Sequence, residues 1–99
     1  MKLTFAGTGS AFCMAADNFQ SNMVLETTPS GNDQPQRLLI DCGSDARHSL
    51  RNIGHMPNDI HGVYVSHLHS DHIGGLEWMA LANYFVFEGH RAELYAVDE

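Results

Sequence analysis

Seven residues constrain this chain more than any other stretch: Ser66-His67-Leu68-His69-Ser70-Asp71-His72, followed at once by Ile73-Gly74-Gly75. Three imidazoles and a carboxylate crowd together directly after the apolar run Val63-Tyr64-Val65. That run reads as a buried strand, and Gly74 to Phe87 reads as a helix. The ligand-type residues thus sit where a strand ends and a helix begins, the carboxyl edge at which open α/β sheets bind their ligands. His67 and His69 are two apart, so on an extended backbone their rings leave one face and can converge on one ion. Asp71 and His72 lie in the turn that follows and can present a second pair. Neutral imidazole and carboxylate suit zinc, with manganese or iron as alternatives. Two pairs aimed at adjacent points predict two divalent metal ions, an arrangement that clamps attacking and leaving oxygens in hydrolysis. A lone histidine near a strand end is ordinarily a surface or hydrogen-bonded residue. Four ligand types at this spacing on a strand-to-helix turn point to metal.

The rest of the chain reads as strands and helices that deliver this loop. Leu3 to Ala6 is a short strand, and Gly7-Thr8-Gly9-Ser10 a tight turn. Phe12 stands where a dinucleotide loop needs its third glycine, and no Gly-Lys-Ser/Thr follows, so a phosphate cradle of either kind is excluded. Ser21 to Thr27 alternates as a second strand, a polar hairpin-like loop runs from Thr28 to Gln36, and Arg37-Leu38-Leu39-Ile40-Asp41 forms a third, antiparallel to the second. Ser44 is the expected cap of a helix carrying Ala46, Leu50 and Ile53, which Gly54 stops. His48 and His55 are read as solvated, and Cys42 as a packed neighbour with no base beside it. Gly62 to Ser66 is the fourth strand; His61 precedes it and is no ligand. In the last helix Leu76, Met79, Ala80 and Tyr84, broadened by Trp78, Leu81 and Phe85, form an apolar stripe read as core. Gly89 closes that helix, and Ala92 to Val97 alternates as a fifth strand.

His67-x-His69-x-Asp71-His72 after an apolar strand resembles the metal-binding signature of the metallo-β-lactamase superfamily of hydrolases. The resemblance assigns His67 and His69 to a first metal site and Asp71 and His72 to a second. Relatives of the flavodiiron redox type carry Glu where His69 stands, which argues for hydrolysis over electron transfer. Asp41, ending the third strand, resembles the aspartate that buttresses the metal loop without binding metal. Phe5-Ala6-Gly7-Thr8-Gly9-Ser10-Ala11 is similar to the opening of the ribonuclease Z-like branch. The implied fold is α/β: the amino-terminal half of an αββα sandwich, a mixed sheet with two helices. Residues 1–99 are then the amino-terminal portion of a single domain, expected to be truncated. The later elements of that family, a third histidine for the first site, a bridging aspartate and a further histidine, have no counterpart here.

By this resemblance the expected function is a metal-dependent hydrolase, a phosphodiesterase acting on RNA or a cyclic nucleotide. Metal-activated water is the attacking group, and Asp71 is the catalytic residue that orients or deprotonates it. Ser44-Asp45-Ala46-Arg47 after Gly43, and Gly75-Leu76-Glu77-Trp78, depart from transfer-RNA processing enzymes and favour smaller phosphodiesters. The alternatives are a hydrolase of a lactone, thioester or β-lactam, or a non-catalytic fragment or assembly module. Catalytic zinc has three protein ligands plus water; this chain offers two per metal, so it is expected to be inactive alone. A missing carboxy-terminal half or a second chain completes it, which leaves a homodimer open.

Composition narrows the partners. Twelve acidic against five basic residues give a formal charge of −7, which excludes a strong basic footprint for nucleic acid. Two cysteines without a Cys-x-x-Cys pair suggest a reducing compartment. The amino terminus has no secretory apolar region, and no run reaches the ~18 apolar residues of a membrane span. A cytoplasmic protein with no membrane partner is expected.

Overall fold

The structure is a computed structural model, and it describes residues 1–9, 18–28, 34–66 and 70–96, the side chains of Ser70 and Asp71 excepted. Alternating apolar stretches form five strands, β1 (Lys2–Gly7), β2 (Asn22–Thr27), β3 (Gln36–Ile40), β4 (Gly62–Val65) and β5 (Glu93–Ala96). They join one sheet in the order β1-β2-β3-β4-β5. β1, β2 and β3 pair antiparallel, whereas β3–β4 and β4–β5 pair parallel because helices cross between them. Those helices are α1 (Ala46–Asn52), a four-residue α2 (Ser70–Ile73) and α3 (Leu76–Phe85), with a 3₁₀ turn at Pro57–Asp59. The fold is the expected α/β one, a mixed sheet with helices.

Register defines the two faces of the sheet. Thr4, Val24, Leu39, Val63 and Leu94 stand in one row toward the helices. Around that row Val24, Leu39, Cys42, Ala46, Leu50, Ile60, Val63, Val65 and Met79 make the core. Each fully buried aliphatic side chain of this kind contributes about 1.5–3 kcal/mol. On the opposite face, Phe5, Met23, Ile40, Tyr64 and Tyr95 form one row and Leu3, Leu25, Leu38, Gly62 and Glu93 the next.

Several sequence expectations are corrected. The helix expected over 74–87 is present as α3, and a separate short helix, α2, precedes it and already contains Asp71 and His72. The apolar stripe expected to be core is mostly at the surface: Tyr84 is 69% and Phe85 74% exposed, while Met79 and Asn83 are buried. Met79 and Asn83, four apart, face inward, and Leu76 and Trp78 of the expected stripe are partly buried against the core. Asp45, not Ser44, is the first cap of α1 and makes no side-chain capping bond there. Ser44 Oγ donates instead to Gln20 Oε1, and Asp45 Oδ2 accepts from the Gln20 amide, so both are spent tying the helix to the start of β2. His55 is not solvated; it lies 3.2 Å from Glu26 Oε1, beside Arg37. Among the described residues, no helix is long and apolar enough to cross a membrane.

Two side groups make the packing testable. A Cβ on Gly75 would stand 2.3 Å from the Gly43 carbonyl and 3.0 Å from Cys42 Sγ, where backbone cannot give way. Gly75→Ala is therefore expected to lower unfolding stability by about 2 kcal/mol in urea titration. His61 Nδ1 accepts the Arg37 backbone N–H at 3.1 Å, a bond that needs a neutral ring. Burial first, then the charges of His90 and Arg37, hold this imidazole below its ordinary value of 6.5, against an opposing pull from Asp59. A lowered histidine is uncharged in the fold, so its contribution is complete above pH 6.5 and is lost as pH falls through the folded value. The melting temperature is expected to fall on acidification from pH 7.5 to 5.5 (about one unit either side of the free imidazole), and His61→Gln to flatten that slope in calorimetry.

Candidate functional site

The site grows from the end of β3. Asp41 follows the last strand residue with φ 67, a left-handed conformation that aspartate tolerates better than most residues. Its backbone N–H still donates to the Tyr64 carbonyl at 2.8 Å, so the ladder to β4 runs one residue further before the chain turns. The turn aims the carboxylate across the end of β4. Oδ1 accepts the Ser66 backbone N–H at 2.8 Å, and Oδ2 accepts the Ser66 hydroxyl at 2.6 Å. Oδ2 also lies 2.7 Å from His72 Nδ1, within α2.

Backbone bonds reinforce the same junction. The Cys42 N–H donates to the His72 carbonyl at 2.7 Å, and the Gly75 N–H to the Cys42 carbonyl at 2.9 Å. The ends of β3, β4 and α2 are therefore held as one unit. Asp41 is 6% exposed. Burial, the largest single influence, pushes its carboxyl up, but the Ser66 hydroxyl and amide and His72 together outweigh burial and hold it below the usual range. Cys42 is a free thiol buried beneath, pushed up to about 12 by burial and then by Asp41. It is a packed neighbour, as its lack of a base suggests.

Of the site residues named from sequence, the structure brings Asp41 and His72 into contact across 31 positions. Asp71 lies in α2 by its backbone, and its side chain lies outside the described residues, as do His67 and His69 altogether. Among the described residues, no three His, Cys, Asp or Glu side chains converge on one point. Ser66 was not singled out from sequence. Its signal is its place as the residue just before the first histidine, where a hydroxyl can close the carboxylate's bonding. For a divalent ion the arrangement that can be examined fits: a ligating histidine ordinarily gives its other ring N–H to a carboxylate, and Asp41 stands at Nδ1 of His72 in that position. His61, its Nδ1 turned to the Arg37 amide, lies at the start of β4, away from this edge.

Comparison with known proteins places the fold and the family. The metallo-β-lactamase fold protein YhfI from Bacillus subtilis superposes with a TM-score of 0.74 at 28% identity, over 97% of this chain and 36% of that one. The short form of human tRNase Z does so with a TM-score of 0.71 at 27% identity, over 96% and 33%. The metallo-β-lactamase resemblance is therefore met by the structure. In sequence, the Anti-Pycsar protein Apyc1 of Bacillus phage vB_BveM-Goe7 is 42% identical over 93 residues, which are 94% of this chain and 33% of that protein. The chain thus spans about a third of the length of the curated relatives it matches.

These matches correct the expected function. The resemblance implies a phosphodiesterase for RNA or a cyclic nucleotide, but the relatives are named Anti-Pycsar protein Apyc1 and not as such a hydrolase. Coverage of a third of their length agrees better with the alternative of a non-catalytic portion. The motif misled because it points to a fold, and a fold does not fix what the whole protein does. The family model described as Anti-Pycsar protein Apyc1 matches residues 1–99, and the chain belongs to that family.

Proposed function

We propose that these 99 residues form the amino-terminal scaffold portion of an anti-Pycsar protein, non-catalytic by themselves. The observation that carries this reading is the 42% identity to an Anti-Pycsar protein Apyc1 over 94% of this chain but only 33% of that protein. Polypeptide beyond these residues, in the same chain or a second one, completes the working protein. The cytoplasm is its compartment, in keeping with a free Cys42 thiol.

Within that portion, His67, His69, Asp71 and His72 are the ligands offered to two divalent ions, zinc first among them, and Asp41 positions His72. The 2.7 Å contact at His72 Nδ1 supports the positioning role, and a bound ion would use the opposite nitrogen. Bound ions would neutralise carboxylate charge at the rim and fasten the loop to the sheet.

Two measurements test this reading. Joined to the remaining two thirds of the vB_BveM-Goe7 relative, the chain is expected to counter Pycsar in a cell-based assay, while the chain alone does not. A chimera without effect, or an isolated chain that suffices, would overturn the scaffold reading. For the metal loop, Asp41→Asn is expected to weaken zinc binding by calorimetry roughly 10–100-fold, the usual cost of losing a carboxylate behind a ligating histidine. Unchanged affinity would remove Asp41 from the site.

A further inference from the structure

Away from the Asp41 junction, at the amino ends of β3, β4 and β5, two histidines meet that the proposed function does not use. His61, just before β4, is bonded to both neighbouring strands. Its backbone N–H donates to the Arg37 carbonyl at 2.9 Å, and its ring Nδ1 accepts the Arg37 N–H at 3.1 Å. On the other side its carbonyl accepts the Glu93 N–H at 3.0 Å, the bond that begins β5. His90, in the turn before β5, donates from Nε2 to the Ile60 carbonyl at 2.8 Å. The two rings meet edge to face with centroids 6.0 Å apart. Residues 60 and 61 therefore clasp β3 on one side and the entry to β5 on the other.

That entry has little else behind it. Glu88 and Gly89 are both left-handed, at φ 58 and 78, a conformation that glutamate adopts only at a cost. A cavity of about 400 Å³ lies between α3 and β5, lined by Met79, Asn83, Tyr84, His90, Ala92 and Leu94. All four residues of β5 are exposed, and among the described residues the strand pairs with β4 alone. β3, by contrast, pairs on both sides and carries Leu39 into the core.

We propose that this pair is an acid-released latch on β5: a protonated His61 ring gives up the Arg37 amide, displaces His90 and frees the start of β5, while β1 to β4 stay paired. The proton comes from solvent and lands on Nδ1. An imidazolium has two N–H donors and no acceptor, so the Arg37 N–H loses its partner and the ring must turn. His90 packs against that ring, so the turn draws Nε2 away from the Ile60 carbonyl. The surrounding charges favour departure. His90 and Arg37 oppose a positive His61 and Asp59 attracts it, so the ring holds its proton more readily once it has left the first two. Arg37 is itself paired with Glu26 at 3.0 Å, and His55 lies on the same carboxylate. Glu93 and Tyr95 border the hollow beside His61 and bond to one another. The strand that yields is β5, because it has one neighbour to lose. A metal reading does not fit this pair: an Nδ1 that accepts an N–H leaves the ring proton on Nε2 and no lone pair for an ion.

The test follows amide exchange of the 99-residue chain by NMR, as protection factors corrected for the intrinsic effect of pH. Measurements at pH 7.5 and 5.0 bracket the free imidazole by about one unit or more. Protection of the Glu93 amide is expected to fall roughly tenfold between them, within what one proton permits. It is also expected to stay below that of the Val24 and Leu39 amides, the mark of an opening that leaves the core closed. His61→Asn keeps an acceptor where Nδ1 stands and cannot titrate, so the fall is expected to vanish. His90→Gln keeps a donor for the Ile60 carbonyl and removes the facing charge, so the fall is expected to remain and to move toward neutral pH. In the parent, nitrogen shifts of the His61 ring are expected to titrate in step with Glu93 protection, a readout that stands even if a variant misfolds. Glu93 protection equal to that of Val24, or indifferent to pH, overturns the latch. So does a fall that survives in His61→Asn, or a His61 ring that titrates out of step with Glu93.

Discussion

One carboxylate organises the end of this sheet. Asp41 takes three hydrogen bonds, two from Ser66 and one with His72, and so joins the ends of β3, β4 and α2. A buried charge is costly unless its bonding capacity is met, and here the bonds outweigh burial enough to hold the carboxyl below its ordinary range. Strand β3 must end in a left-handed residue for this to occur, since continued extension would carry the side chain away from β4. The cost of that conformation is offset by the ties it makes possible. Backbone bonds between Cys42 and both His72 and Gly75 then fix how closely the helices approach, which is why Gly75 has no room for a side chain.

The second organising fact is that, among the described residues, helices cover the sheet on one side. Strand periodicity puts apolar residues on both faces of β2, β3 and β4, a pattern expected for strands buried from both sides. The helices satisfy only the inner row. This asymmetry explains the surface position of much of α3. Leu81, Tyr84 and Phe85 are exposed because a single layer of helix on a single sheet has one buried side, and Met79 and Asn83, flanked by partly buried Leu76 and Trp78, occupy it.

Much of this was legible in the residue order. All five strands stand within a residue or two of where alternation places them, and the β2–β3 hairpin follows from the polar stretch between them. The misreadings have physical causes. Ser44 has the right chemistry for a cap, but Gln20 competes for its hydroxyl. His55 looks solvated in sequence because its partner Glu26 is far along the chain. Gly74 and Gly75 looked like the opening of one helix, yet the Gly43 carbonyl needs close approach at Gly75, and α2 and α3 break there. Reading the histidine motif as a whole enzyme's function overreached, since one fold is carried by proteins of different names.

Sequence by itself determined what is local: strand alternation, the glycine and proline breaks, and the clustering of ligand-type residues between β4 and α2. Such features depend on neighbours a few positions apart, where backbone geometry sets which way side chains leave. Tertiary structure decided which distant groups meet and which faces are covered. Asp41 reaches His72 across 31 positions only because β3 and β4 pair in parallel and place their ends side by side. The outer rows became a surface for the same reason: burial belongs to the whole packing arrangement, and no window of sequence contains it.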